Sequence, residues 1–249
     1  MVLVFFRGES GVRRELSNRS GMTYPEIGLK GDLSSLKPAA LKPPALSALA
    51  DWPSVFRLCK RSLDILSALL GLFLAAIAAV FLLILNPFFN PGPLLFKQQR
   101  MGMWGRPFTM WKFRSMAAAA DGAERDPTSP LETDRITPLG HFIRRSRIDE
   151  LPNFWSVLSG EMALVGPRPD VWEHAQWFTD NIPYYKYRVR VRPGITGLAQ
   201  IRGGYADEVI TINRKARYDY YYIRHGSAMM EVYIILRTVS VMLFGTGAK

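Results

Sequence analysis

The sequence predicts an α+β protein, mainly helical. In it a membrane-inserted, re-entrant N-terminal helix carries a cytosol-facing domain of short helices and a small β-hairpin, with amphipathic helices at the membrane interface. Three observations predict this: a long apolar run from Leu63 to Leu85, basic residues on both of its flanks, and short helix and hairpin signals beyond it. At 249 residues the chain is long enough for one sizeable domain with accessory segments. The expected organisation is a flexible leader over 1–55, a membrane-inserted helix and turn over 56–93, and the cytosol-facing body over 94–249.

Between Leu63 and Leu85 the only charge is Asp64, and Leu, Ala, Ile and Phe dominate. At about 1.5 Å per residue a helix of this length crosses a hydrocarbon core of roughly 30 Å. The run starts beyond residue 60 and leads into Asn86-Pro87 with no small-residue cleavage site, so it is an anchor and not a cleaved signal. The formal net charge of +11 asks for an anionic partner, and beside an apolar run that partner is lipid. Nucleic acid is not expected as a partner, because no recognition motif accompanies the charge.

Arg57, Lys60 and Arg61 precede the run, and Lys97, Arg100, Arg106, Lys112 and Arg114 follow it. By positive-inside reasoning both flanks are cytoplasmic. Two topologies stay open: the basic flanks favour a helix that enters and returns, whereas uninterrupted length favours a span. The single Cys59 has no intrachain disulfide partner, which fits a reducing compartment and a small filler role.

The leader carries Pro38, Pro43, Pro44 and Pro53 among scattered Ser and Gly, without helical or strand period. After the apolar run, Asn86-Pro87 and Asn90-Pro91-Gly92-Pro93 are expected to break the helix and turn the chain. Leu94–Phe96 and Phe108–Phe113 then predict a hairpin around Gly102 and Gly105. Ala117–Thr133, small and polar, predicts a mobile surface loop. Thr137-Pro138 predicts a helix start, with Thr as N-cap and Pro in the first turn.

Ser146-Arg147-Ile148-Asp149 predicts a second helix, beginning near Asp149 and ending at Gly160, with Ile148, Leu151, Trp155 and Leu158 as its apolar face. Ala228–Phe244 predicts a packed or interfacial amphipathic helix. The tyrosines at 184, 185, 187 and 220–222 are expected at the membrane interface.

Candidate chemistry centres on Asp149 and Glu150, adjacent acids at a predicted helix start, where unpaired N–H groups favour negative charge. Arg144, Arg145 and Arg147 lie just upstream, so the local field suits an anionic substrate. Simple helix capping by Asp149 explains the pair as well, so corroboration must come from elsewhere. Arg168 stands between two prolines that fix its backbone. Lys112 and Arg114 alternate with Trp111 and Phe113, which places both charges on one strand face. The turn from Gly194 to Gly197 allows backbone N–H groups to approach a phosphate. His141, His174 and His225 show no metal-ligand spacing.

Taken in order, five segments resemble the bacterial sugar transferases, the monotopic phosphoglycosyl transferases. They are Lys60-Arg61 through Asp64, Trp111-Lys112-Phe113-Arg114-Ser115-Met116, Asp149-Glu150-Leu151-Pro152, Val165-Gly166-Pro167-Arg168-Pro169, and Arg192-Pro193-Gly194-Ile195-Thr196-Gly197-Leu198-Ala199-Gln200. The resemblance runs from Lys60 to Ala248. It implies transfer of a sugar 1-phosphate from a UDP-sugar to undecaprenyl or another polyprenyl phosphate, with release of UMP. That is the first membrane step of exopolysaccharide, O-antigen or glycoconjugate synthesis, at the cytoplasmic face of the bacterial inner membrane.

The resemblance further implies Asp149 as nucleophile with Glu150 as its catalytic partner, and Mg²⁺ as cofactor held by Asp149 and Glu150. It assigns substrate and phosphate contacts to Arg144, Arg168, Lys112, Arg114, Arg192, Gly194 and Gln200. Asp219 and Tyr222 match a late Asp-x-x-Tyr pattern. Two departures stand out: Leu74–Ala79 lacks the proline that usually hinges the membrane helix, and the leader lacks the additional membrane helices of larger relatives, so a compact single-anchor form is expected. Oligomeric state stays open, a homodimer included.

Overall fold

The computed structural model describes residues 52–117, 133–182, 184–203 and 209–244, together with the backbone of 16–17 and 23–24. The two short pieces are β1 (Leu16–Ser17) and β2 (Thr23–Tyr24), an antiparallel pair in a compact unit of its own, 1–44 with 125–130. Otherwise the expected leader up to residue 51 and the expected loop over 118–132 lie outside the described residues. All other elements belong to the second unit, 45–124 with 131–249.

The first long element is α1 (Ser54–Phe89), whose 36 residues span about 54 Å. It is long and apolar enough to cross a membrane. Just before it Trp52 is docked: its Nε1 donates to the Ile223 carbonyl at 3.1 Å and its ring meets Phe56 edge-on. Trp52 and the first residues of α1 thus fall within the stretch expected as leader. Cys59 is exposed and not a packed filler.

The helix also runs through Asn86-Pro87, where a break was expected. Pro87 forgoes the hydrogen bond back to the Leu83 carbonyl, and the helix continues only two residues beyond it, to Phe89. Asparagine side chains then fasten the reversal. Asn86 Nδ2 donates to the Gly92 carbonyl and Asn90 Nδ2 to the Arg114 carbonyl, both at 2.8 Å.

Buried Asp64, Ala68, Gly71, Ala75, Leu82 and Asn86 form one stripe along α1 at helical spacing. Small residues in the stripe let the body approach closely. A Cβ at Gly71 would lie 2.2 Å from the Phe154 ring, so only glycine fits beneath it. The opposite face exposes Leu66, Leu70, Phe73, Phe81 and Ile84.

β3 (Leu95–Met101) and β4 (Pro107–Phe113) form the expected antiparallel hairpin, longer in its first strand, with Leu95 opposite Phe113 and Met101 opposite Pro107. Its two faces serve different cores. Phe108 and Met110 pack with Ala68, Val157 and Met162, whereas Phe113 packs with Ala75, Leu82 and Ile143. α2 (Pro138–Arg145) starts as expected, with Thr137 Oγ1 accepting the Gly140 N–H at 3.0 Å.

The second predicted helix differs. Arg147 adopts a left-handed conformation (φ 60°), and Ile148–Asn153 is a 3₁₀ helix that passes into α3 (Phe154–Ser159). Ser146 is no N-cap: its hydroxyl donates back to Phe142 and Ile143 carbonyls at the end of α2. Gly160 does terminate α3, at φ 89°. Trp155, expected on the packed face, is 57% exposed.

β5 (Ala163–Val165) and β6 (Gly194–Thr196) form a short parallel pair that the sequence did not announce. Between them come α4 (Trp172–Asn181) and a 3₁₀ helix over Tyr185–Arg190. α5 (Leu198–Gly203), α6 (Val209–His225) and α7 (Ala228–Phe244) complete the body, α7 with the expected bounds. Tyr185, Tyr187 and Tyr222 are core residues and not interfacial, whereas Tyr221 is exposed.

A buried polar cluster joins α1 to β5 and α7. Lys60 Nζ donates to Glu231 at 2.8 Å and to the Val165 carbonyl at 2.9 Å, and Asp64 Oδ1 accepts the Leu164 N–H at 2.8 Å. Tyr222 donates its hydroxyl to Glu231. Arg61 caps α3 by donating to the Val157 and Leu158 carbonyls, each at 2.8 Å. The start of α1 is thus part of the body's interior.

Candidate active site

Three segments converge on Glu150. β4 supplies Lys112, the 3₁₀ turn supplies Asp149 and Glu150 themselves, and the loop after β5 supplies Arg168. Lys112 follows Phe108 and Met110 on one face of β4, so strand alternation carries its ammonium to the acids while Phe113 faces the other core. Glu150 Oε1 accepts from Arg168 Nη2 at 2.5 Å and from Lys112 Nζ at 3.3 Å, and Oε2 accepts from Arg168 Nη1 at 3.4 Å. Arg147 Nη1 adds a fourth contact at 3.9 Å.

Burial by itself would raise the Glu150 carboxyl. Arg168, Lys112 and Arg147 more than offset it and hold Glu150 well below the ordinary carboxylate range. Asp149 is in the opposite position. Burial, then the neighbouring Glu150 charge, push it above the ordinary 3.8, with Lys112, Arg144 and Arg147 pulling the other way. Its Oδ1 is buried and finds no hydrogen-bond partner among the described residues. One acid is therefore pinned and ionised, while its neighbour keeps an uncommitted oxygen.

The loop bearing Arg168 is held rigidly. Gly166 N–H donates to the Thr196 carbonyl at 2.8 Å and Gly194 N–H to the Pro167 carbonyl at 2.9 Å. A Cβ at Gly194 would lie 2.1 Å from Gly166 N, so this crossing admits only glycine. Beneath it Arg188 is buried, donating to the Arg168 carbonyl at 2.7 Å, to Asp219 at 2.7 Å and to Asp170. Arg100 donates to the Pro169 carbonyl at 3.1 Å, and burial with the nearby Arg168 charge lowers its pKa to about 10. Arg100, Arg188 and Asp170 carry no local motif, so sequence reading missed their role in placing Arg168.

Of the expected substrate-binding residues, Lys112 and Arg168 meet the acids, and Arg144 lies within electrostatic reach of Asp149, its Nη1 3.5 Å from the Met116 sulfur. Arg114 is elsewhere. β4 ends at Phe113, so the strand alternation lapses, and the guanidinium folds back to donate to Pro93 at 2.7 Å and to Asn90. Arg192 sits beside Arg61 near Gly160, at the start of α1 and within reach of Asp64.

Gly194 spends its N–H on Pro167 and offers none to a phosphate. Gln200 donates to the Ile195 carbonyl at 3.2 Å, leaving Oε1 buried without a partner among the described residues. Asp219 and Tyr222 serve the internal networks of Arg188 and Glu231.

Among the described residues no three His, Cys, Asp or Glu side chains gather into a metal cluster. The orphaned oxygen of Asp149 fits a hard cation. Both oxygens of Glu150 already face guanidinium or ammonium groups, so it is a poorer ligand.

The sequence matches the bacterial sugar transferase family over residues 55–245, and the chain belongs to that family. It is 38% identical over 197 residues to the UDP-N-acetylgalactosamine-undecaprenyl-phosphate N-acetylgalactosaminephosphotransferase of Aeromonas hydrophila, covering 78% of this chain and 46% of that protein. To the UDP-glucose:undecaprenyl-phosphate glucose-1-phosphate transferase of Escherichia coli it is 39% identical over 196 residues, 77% of this chain and 42% of the relative. The exopolysaccharide production protein PSS of Rhizobium leguminosarum is 36% identical over 196 residues, 72% of this chain and 92% of the relative. The chain thus spans less than half the length of the first two relatives.

Proposed function

We propose that this chain transfers a sugar 1-phosphate from a UDP-sugar to undecaprenyl phosphate, as the names of its relatives describe for them. The observation that carries the reading is the contrast within the acid pair: Glu150 is saturated by cations, and Asp149 keeps a buried oxygen without a partner among the described residues.

In the proposed reaction an Asp149 carboxylate oxygen attacks the sugar-bearing phosphorus. The bond from that phosphorus to the bridging oxygen breaks, UMP leaves with the oxygen, and an aspartyl phosphosugar remains. An oxygen of the lipid phosphate then attacks the same phosphorus and releases the Asp149 carboxylate, giving a polyprenyl diphosphate sugar. Lys112, Arg168 and Arg144 offset the negative charge that two phosphates bring to the acids. Glu150 holds Lys112 and Arg168 in place, which pre-orders these cations before substrate arrives. Mg²⁺ is the proposed cofactor, held by Asp149 with substrate oxygens, and when bound it would neutralise phosphate charge.

The proposal places α1 in the cytoplasmic leaflet of the inner membrane. Its outward face is apolar, and the body lines its other face from Asp64 to Asn86, which supports a helix seated in one leaflet with the whole body on one side of the membrane. A crossing helix would drag one end of the body through the lipid. Exposed Arg57 and Lys97, near the two ends, agree with a cytoplasmic side.

The deciding experiment incubates the purified chain with undecaprenyl phosphate and a panel of UDP-sugars, scoring UMP. Release with one donor is expected, and Asp149→Asn abolishes it. Normal release by Asp149→Asn would refute the mechanism.

A further inference from the structure

An apolar groove of about 290 Å³ opens between α1 and α2. Ala78, Phe81 and Leu82 line it from α1, Leu139 and Phe142 from α2, and Ile148 from the turn that follows α2. Phe81 and Phe142, each 62% exposed, form the outer rim on the lipid-facing side of α1. The residue after Ile148 is the proposed nucleophile, Asp149, so the same turn carries a groove-lining side chain and the acid. Arg144, on α2, and Arg147, just after it, both act electrostatically on Asp149.

We infer that this groove seats the first isoprene units of the acceptor lipid, with its phosphate at Arg144 and Arg147. The inference rests on the proposed function and adds where the acceptor binds. An apolar slot beside a pair of guanidinium groups complements an amphiphile whose tail begins directly at a phosphate. A phosphate monoester, carrying up to two negative charges, matches two cations better than the singly charged diester of a bilayer phospholipid. At the small end of the usual range for ligand pockets, roughly 300 to 1,000 Å³, the groove holds the head-proximal part of the chain only. The remainder stays in the bilayer along the exposed face of α1. Such seating fixes the depth and direction from which the lipid phosphate reaches the phosphorus on Asp149.

Ala78 is a half-buried wall residue of the groove and has no place in the proposed phosphoryl chemistry, so Ala78→Phe fills the groove from the side of α1. The experiment compares full-length Ala78→Phe with the unaltered chain in lipid nanodiscs, in two assays. One is single-turnover UMP release from the UDP-sugar without acceptor. The other is the KM for undecaprenyl phosphate in the complete reaction. The first is expected to be unchanged and the second to rise about tenfold, the effect of losing burial of roughly two methylenes.

An unchanged KM with intact UMP release overturns the groove while leaving the proposed function standing. No UMP release by the unaltered chain with any donor overturns the proposed function, and the groove with it. Should Ala78→Phe lose both activities through misfolding, Phe142→Ala, which removes the rim, is read in the same way and is expected to raise the KM. Undecaprenol without a phosphate is expected to compete in the unaltered chain. Equal competition by phospholipid would mark a general acyl slot and overturn the assignment.

Discussion

Arg168 grips Glu150 through both terminal guanidinium nitrogens, at 2.5 and 3.4 Å, across a gap of 18 residues in sequence. This contact keeps Glu150 ionised in a buried place and leaves Asp149 as the acid with an uncommitted oxygen.

Arg168→Ala removes the largest opposing charge from Glu150, so its carboxyl rises toward the ordinary 4.5 or beyond. Because the folded pKa is depressed, the stabilisation is present above the unfolded value and is lost as pH falls through the folded one. The variant is expected to unfold with about 2 kcal/mol less stability at neutral pH. The difference should shrink under acid conditions, as followed by thermal melts across that range; an equal deficit at every pH would contradict the charge argument.

Asp149→Asn is expected to lower UMP release on the order of 10³-fold or more. The same change should raise the melting temperature at neutral pH. The raised pKa of Asp149 means that its proton-linked stability is full below 3.8 and is lost as pH rises through the folded value. Asparagine removes that loss, so melts of the two proteins should converge in acid.

Lys60→Met leaves Glu231 buried without its cation, and a cost of about 3 kcal/mol is expected. The double variant Lys60→Met with Glu231→Leu should recover part of it. Strict additivity of the two single losses in denaturant titrations would show that the ion pair carries no coupling.

Gly71→Ala forces a methyl into the Phe154 ring, where a Cβ would come within 2.2 Å. The expected cost is about 1 to 3 kcal/mol of stability. Gly105→Ala, which meets no neighbour within 4 Å but has φ 68°, isolates backbone strain for comparison.

Removing divalent ions with a chelator is expected to stop UMP release, and added Mg²⁺ to restore it. Titration of Mg²⁺ against Glu150→Gln separates the two acids: an unchanged Mg²⁺ requirement is expected, because Glu150 is occupied by Arg168 and Lys112.

Local signals were legible in the sequence. Thr137-Pro138 starts a helix because a cap and a proline act within one turn, and α7 follows from a run that is apolar apart from Tyr233, Glu231, Arg237 and a few hydroxyls. Asp149, Glu150, Lys112 and Arg168 were legible as candidates, though not their division of labour, which depends on contacts between segments distant in sequence. Glu231 looked like a polar interruption of an amphipathic helix, yet it is 3% exposed and partnered by Lys60, 171 residues away.

The β5–β6 pairing escaped notice for the same reason, since three-residue strands carry no period. Arg114 misled because alternation was extended one residue past the strand. The predicted α-helix at Asp149 became a 3₁₀ turn because Arg147 leaves the right-handed region just before it.

The stripe from Asp64 to Asn86 bears on how the protein can be taken apart. A tether that merely holds a domain at a surface is interchangeable with any other hydrophobic segment. α1 is not, since Lys60, Arg61 and Asp64 complete the body's polar interior and Gly71 receives Phe154. Cutting the chain after α1 would expose a cleft with its own unmet hydrogen bonds, and grafting on a foreign anchor would restore attachment without filling it. The solubilised fragment so often sought in membrane enzymology is, for this chain, a protein missing its spine.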